Sequence, residues 1–133
     1  MSVFKMLVTA GGTALVLATL TACGGGGGGD QGNTCTPKGG ASSGTAAQTV
    51  QVVSDPNTTG AFQPKTLTVK KGDTVEWDWT DQGVSHTVTA EDGSFDSGLC
   101  AAGTKFFVTF NTAGTVNYHC TIHAQMTATL TVQ

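Results

Sequence analysis

A cysteine, a histidine and a methionine stand within seven residues near the end of the chain, as Cys120, His123 and Met126. A second histidine, His86, precedes Cys120 by 34 residues. Two imidazoles and a thiolate with a weak axial thioether are the donors of copper sites that transfer electrons. Zinc would favour a further thiolate or hard ligand over the methionine. The donor types and their spacing therefore predict a mononuclear copper centre at these four residues.

Each of these residues also has an ordinary structural interpretation. Met126 alone could fill an irregular gap in a core, His123 could be a surface histidine, and Cys120 could be a buried, inert thiol. The arrival of all four donors in this order favours a metal site over packing. His119 is left out of the predicted site, because neighbouring residues of a strand point to opposite faces and His119 adjoins Cys120.

The elements that must position these donors are β-strands. From Thr49 onward no stretch has sustained helical periodicity, and apolar residues recur at every second position between turn-forming residues. The alternating segments are 50–52, 67–69, 75–79, 106–110, 116–120 and 128–132. They predict an all-β fold, a Greek-key β-sandwich of about seven to eight strands. Trp77 and Trp79 are expected to fill its interior rather than to stack on a cofactor.

The segments around the donors resemble the plastocyanin-like cupredoxins, a family of blue copper proteins. The resemblance covers about residues 50–132 and rests on segments 75–77, 86–88, 110–115 and 118–126. The cysteine, the histidine and the methionine are each separated by two residues, which is the spacing of the short-loop members typified by amicyanin. The resemblance implies a cupredoxin-like sandwich that holds one copper ion, alternating between Cu(II) and Cu(I).

The resemblance also implies a function, one-electron transfer between larger redox proteins, with His86, Cys120, His123 and Met126 as the copper ligands. No enzymatic role is expected, because copper oxidases and nitrite reductases need further histidine clusters and this chain has only three histidines. An alternative with the same ligands is a module that binds or delivers copper without electron-transfer turnover. Many family members carry an asparagine directly after the first histidine, where it helps to fix the ligand loop, whereas this chain has Thr87.

The length and charge of the chain limit its partners. Its 133 residues suffice for one small domain, which we expect to be monomeric. With six basic residues, all lysines, and a net charge of -3, it has no basic surface for nucleic acid. The expected partners are redox proteins. The acidic side chains either steer a basic partner or form an ordinary solvated surface; the candidates are Asp73, Asp78, Asp81, Asp92 and Asp96.

The first 22 residues have the pattern of a secretory signal peptide, with Lys5 followed by an apolar run and small residues. Their end, residues 20–23, resembles the lipobox of bacterial lipoproteins, which implies lipidation of Cys23 after removal of residues 1–22. Ordinary cleavage near Ala22 and a retained membrane helix are the alternatives, although the apolar run is short against the roughly 20 residues that a bilayer requires. We therefore expect an exported protein, lipid-anchored to a membrane and facing the periplasm or the cell exterior.

Residues 23–47 are predicted to form a flexible tether between this anchor and the copper-binding domain of residues 48–133. Six consecutive glycines follow Cys23, and glycine, serine, threonine and alanine dominate as far as Ala47. Such a composition buries little apolar surface and is typical of linkers.

Cys35 and Cys100 are the two cysteines that remain if Cys23 carries lipid and Cys120 binds metal. Spare thiols outside the cytoplasm tend to pair, so we expect a Cys35–Cys100 disulfide bond. Two unpaired thiols or an intermolecular bond are the alternatives.

Overall fold

A computed structural model describes residues 34–133 of the chain. This part contains ten β-strands and no helix long and apolar enough to cross a membrane. The strands are β1 (Thr34–Lys38), β2 (Gln48–Val53), β3 (Ala61–Gln63), β4 (Thr66–Val69), β5 (Thr74–Trp79), β6 (Thr89–Ala90), β7 (Asp96–Leu99), β8 (Lys105–Thr109), β9 (Gly114–His119) and β10 (Thr127–Val132). The predicted all-β class is confirmed.

The strands form two sheets that pack face to face as a sandwich. One sheet has six strands in the order β1-β7-β6-β9-β10-β4, and the other has four in the order β3-β2-β5-β8. Pairing is antiparallel except between β10 and β4 and between β2 and β5. The predicted Greek-key β-sandwich is confirmed. The described residues contain ten strands instead of seven or eight, partly because β1 arises where a tether was expected and β6 has only two residues.

The core follows from the alternation of apolar and polar residues. In β5, Val75, Trp77 and Trp79 are buried, whereas the intervening Glu76 and Asp78 are partly exposed. The Trp77 ring lies against other aromatic rings from both sheets, with centroid distances of 5.4 Å to Tyr118 and 5.9 Å to Phe106. The prediction that both tryptophans fill the interior is confirmed.

Residues 34–47 differ from the predicted tether. Strand β1 pairs with β7, and Ala41 exchanges two backbone hydrogen bonds of 2.8 Å with Phe107. In β8 the side chains of Phe106 and Val108 belong to the core, and Phe107 between them points to the opposite side of the sheet. Phe107 is nevertheless only 6% exposed. A Cβ atom on Gly40 would lie 2.5 Å from the carbonyl oxygen of Phe107. Glycine at this position therefore permits close packing on β8, a use that composition alone does not reveal.

Candidate metal centre

His86 is fixed through its backbone. Its amide donates to the carbonyl of Cys100 and its carbonyl accepts from the amide of Cys100, both at 2.9 Å. The same carbonyl accepts a hydrogen bond of 3.1 Å from the indole Nε1 of Trp79, the last residue of β5. His86 is fully buried. The core strand β5 and the segment after β7 thus jointly set the position of this imidazole.

Cys120, His123 and Met126 lie on the short loop between β9 and β10. The amide of Cys120 donates to the carbonyl of Met126, and the amide of Met126 donates to the carbonyl of His123, both at 2.9 Å. The loop begins directly after β9 and ends where β10 begins, and these strands are antiparallel neighbours. A loop closed by its own backbone in this way holds its three donors at one end of the sandwich.

The side chains of His86, Cys120 and His123 converge on one point. The Nδ1 atoms of the two histidines are 3.0 Å apart. The Sγ atom of Cys120 lies 3.4 Å from Nδ1 of His123 and 4.0 Å from Nδ1 of His86. Two imidazole nitrogens and a thiolate at these separations are able to share one metal ion. The structure therefore brings together three of the four predicted donors as a compact cluster.

Met126 and Gly60 complete the surroundings of this cluster. Met126 is buried, with 1% of its surface exposed. A Cβ atom on Gly60 would lie 2.3 Å from Cε1 of His86 and 2.9 Å from Sδ of Met126. The thioether and the first imidazole therefore face the same narrow space, which the backbone of residue 60 lines. The fourth predicted donor lies beside the other three, and only glycine fits against them.

Thr87 holds the ligand loop with its hydroxyl group. Its backbone amide donates to Sγ of Cys120 at 3.3 Å. Its Oγ1 accepts a 2.8 Å hydrogen bond from the amide of Thr121 and lies 3.0 Å from Oγ1 of Thr89, which donates to it. A threonine therefore fixes the start of the loop at the position where the family resemblance leads one to expect asparagine.

Asp81, a candidate for steering a basic partner, is buried with only 2% of its surface exposed, and it contacts His86 instead. Nε2 of His86 lies 2.7 Å from Oδ2 of Asp81. The hydroxyl of Ser54 and the amide of Gly83 donate to Oδ1 at 2.8 and 2.9 Å. Burial raises the pKa of Asp81, but the hydrogen bonds from His86, Gly83 and Ser54 outweigh it and lower the pKa to about 2. Asp81 is therefore an ionised acceptor.

The thiol of Cys120 is readily ionised in this environment. Burial alone raises its pKa, but the contact with the His86 imidazole, hydrogen bonds from the backbone amides of Thr87 and Ile122, and the contact with the His123 imidazole lower the pKa to about 6. The thiolate is the form that binds metal. The groups around the sulfur atom thus favour its ionised, metal-binding form.

The remaining predicted residues have the following positions. His119 lies in β9 between Thr89 and Thr127 and outside the donor cluster. Cys35 and Cys100 form a disulfide bond with a Cα–Cα distance of 4.7 Å. Cys23, the predicted lipidation site, lies outside the described residues. Asp81 and Gly60 are the contacts of the site that sequence reasoning missed, since neither stands in a recognisable motif.

Comparison with known proteins identifies the family. Residues 48–133 match the model of the copper binding proteins of the plastocyanin/azurin family. The chain belongs to this family. A plastocyanin from Scenedesmus fuscus is 34% identical over 85 residues, which cover 54% of this chain and 86% of that protein. The resemblance to plastocyanin-like cupredoxins is therefore confirmed.

Two further relatives agree with this cupredoxin assignment. A halocyanin from Natronomonas pharaonis is 39% identical over 67 residues, which cover 47% of this chain and 41% of that protein. The oxidised state of an amicyanin mutant superposes with a TM-score of 0.55 at 25% identity, covering 74% of this chain and 92% of that one. The family and the histidine–cysteine–histidine cluster assign one copper ion to this blue copper electron-transfer protein.

Proposed function

We propose that this cupredoxin is a lipid-anchored carrier that shuttles single electrons between redox proteins outside the cytoplasm. The observation that best supports the electron-carrier role is the convergence of the donor atoms of His86, Cys120 and His123, which lie within 4.8 Å of one another. Backbone and side-chain hydrogen bonds within the protein alone hold this arrangement. A rigid donor frame changes little between the two oxidation states of copper, and a small structural change lowers the barrier to electron transfer.

The four donors have distinct roles in this proposal. His86, Cys120 and His123 are the strong ligands, and Met126 is the weak axial ligand that tunes the potential. The bound copper supplies the one-electron oxidation and reduction. Thr87 donates its amide to the Cys120 sulfur at 3.3 Å and thereby stabilises the thiolate. In this proposal the protein acts as an electron carrier rather than as an enzyme.

His123 is the exit for the electron in this proposal. It is half-buried, whereas His86 is fully buried. Near it along the ligand loop, Ile122 is 53% exposed, and Val84, two residues before His86, is 37% exposed. Exposed apolar side chains next to the metal suit a weak, transient contact with a redox partner that must dissociate quickly.

The copper assignment is tested by adding one equivalent of Cu(II) and recording the visible absorption and EPR spectra. An intense thiolate-to-copper band with a narrow hyperfine splitting is expected. It should vanish in Cys120→Ala and shift in Met126→Leu, and it should persist in His119→Gln, a control on the same strand end. Pale copper spectra or a lack of stoichiometric binding would contradict the proposal. Copper that a chelator removes rapidly, without electron exchange with redox proteins, would instead indicate a copper-delivery module.

The membrane anchor is a separate part of the proposal and rests on the sequence around Cys23. The Cys35–Cys100 disulfide supports an oxidising compartment. In a bacterial host, the full chain should incorporate labelled fatty acid and sediment with membranes. Cys23→Ala should release the protein and keep its copper spectrum, whereas Cys120→Ala should keep the anchor and lose the spectrum. A Cys23→Ala protein that still carries fatty acid would rule out this anchor.

A further inference from the structure

Asp81 is a buried carboxylate next to a predicted metal ligand. It lies in the segment between β5 and His86, five residues before that histidine. Its side chain is 1% exposed, and the His86 side chain that it contacts is 0% exposed. In the part of the chain that the structure describes, no lysine forms an ion pair with Asp81. A buried carboxylate needs hydrogen-bond partners to offset its loss of solvation, and one of the partners of Asp81 is a predicted metal ligand.

The protein orients this carboxylate by giving its two oxygens different partners. Oδ1 accepts hydrogen bonds from the hydroxyl of Ser54 and from the amide of Gly83. The backbone amide of Asp81 donates to the carbonyl of Val52 at 3.1 Å, which attaches the segment to β2. Oδ2 is left to face Nε2 of His86 at 2.7 Å. The carboxylate is therefore fixed before any metal binds.

The orientation of His86 follows from this contact. An ionised carboxylate only accepts hydrogen bonds, so Nε2 of His86 must carry the proton. Nδ1 then bears the free lone pair, and Nδ1 is the atom that lies 3.0 Å from Nδ1 of His123 and 4.0 Å from Sγ of Cys120. A carboxylate on the far nitrogen of a ligand histidine fixes its tautomer and ring orientation and raises its basicity.

We propose that Asp81 is a positioning residue that holds His86 in its metal-binding tautomer and, through its negative charge, favours Cu(II) over Cu(I). The inference rests on the proposed role of His86 as a copper ligand. The charge lies one hydrogen bond from the ligand and is buried, so solvent screens it weakly. Asp81 therefore lowers the reduction potential of the site relative to the same protein with a neutral residue at this position.

The first test uses the unaltered metal-free protein and reads the tautomer directly. Nitrogen-15 NMR of the imidazoles, recorded at a pH at which the His86 ring is neutral, should show this ring protonated at Nε2, with a slowly exchanging, hydrogen-bonded proton. A neutral His86 ring that is protonated at Nδ1, or that mixes both tautomers, would overturn the proposal. This measurement needs no variant and no copper.

The second test is Asp81→Asn, which keeps the shape of the side chain and removes its charge. We expect the hydrogen-bonded Nε2 proton to be lost or weakened, the reduction potential to rise, and the Cu(II) affinity to fall by about 10–100-fold. Asp92→Asn removes an equal charge from an exposed loop and serves as the control. An unchanged potential and tautomer in Asp81→Asn would overturn the inference, as would an equal rise of the potential in both variants.

The two proposals fail in different ways. If the unaltered protein lacks the thiolate-to-copper band, the copper assignment fails, whatever the tautomer of His86. If the band is present and Asp81→Asn leaves both the potential and the His86 resonances unchanged, only the role of Asp81 fails. Asp81→Glu, which keeps the charge on a longer side chain, should leave the potential closer to that of the unaltered protein than Asp81→Asn does. A potential in Asp81→Glu as high as in Asp81→Asn would contradict the role of the charge.

Discussion

His86 and Cys100 are direct backbone partners, each amide donating to the carbonyl of the other at 2.9 Å. Since Cys100 is also bonded to Cys35, the disulfide joins β1 to the backbone partner of His86, a proposed copper ligand. The bond joins residues 65 apart in the sequence. The same hydrogen-bonded pair thus connects the beginning of the described chain to the metal centre.

The first prediction concerns this disulfide bond. A Cys35→Ala, Cys100→Ala protein should lose about 4 kcal/mol of unfolding free energy, because the unfolded chain is no longer constrained. Trp79 and Asp81 still hold His86, so the thiolate-to-copper band should remain. Denaturant unfolding and visible spectroscopy check the two parts. An unchanged unfolding free energy would show that the bond contributes nothing, and a lost band would show that the site depends on it.

The second prediction concerns Gly60. In Gly60→Ala the added methyl group would lie 2.3 Å from His86 Cε1, so the imidazole or the segment around residue 60 must move. We expect a loss of about 1–3 kcal/mol in stability, weaker copper binding and a shifted visible band. Copper titration and thermal unfolding measure these effects. Gly83→Ala is the control, because its methyl group would meet only Asp81 Oδ1 at 3.8 Å; equal effects in both variants would contradict the prediction.

The third prediction concerns the hydroxyl of Thr87. Thr87→Val keeps the shape and the amide that donates to Cys120, but it leaves the amide of Thr121 without its acceptor. The expected cost is about 1–3 kcal/mol, with faster hydrogen exchange at the Thr121 amide. Thr87→Ser retains the hydroxyl and should exchange like the unaltered protein. Slow exchange in Thr87→Val would mean that the ligand loop is held by other contacts.

The fourth prediction concerns Tyr118, the only tyrosine of the chain. Burial raises its pKa to about 12, against a smaller opposite effect of the Trp77 indole. The folded state therefore favours the neutral phenol, and this contribution, about 3 kcal/mol for two pKa units, is complete below pH 10 and is lost as the pH rises toward 12. Ultraviolet titration should show ionisation only near the upper value. In Tyr118→Phe the stability should fall less steeply with pH over this interval, and an equally steep fall would contradict the linkage.

The copper site could be predicted from the sequence because its chemistry is local. Cys120, His123 and Met126 share one short loop, and donor type and spacing restrict the metal that such a loop binds. The strands around the site could also be predicted from the sequence, since Val75, Trp77 and Trp79 alternate with polar residues and all three are buried in the structure. In both cases the informative residues are close together in the chain.

Contacts between segments that are distant in the chain could not be predicted from the sequence in this way. Asp81 looks like any acidic loop residue until Ser54 and His86 are known to surround it. The segment before residue 48 has a linker composition, yet Gly40 and Ala41 pack against Phe107. Local propensity carries no information about such tertiary partners, and it is these partners that decide burial.

The short stretch from Thr34 to Ala41 has a consequence for solubility. Without β1, β7 would be the outermost strand of its sheet, and without Ala41 the outer side of β8 would lose its backbone partner. Open edge strands offer unpaired amides and carbonyls to other chains and promote aggregation. A protein shortened to begin at residue 48, where the family match starts, would expose both edges together with Phe107 and should self-associate. Residues 34–41 thus cover two strand edges at which copies of the sandwich would otherwise pair.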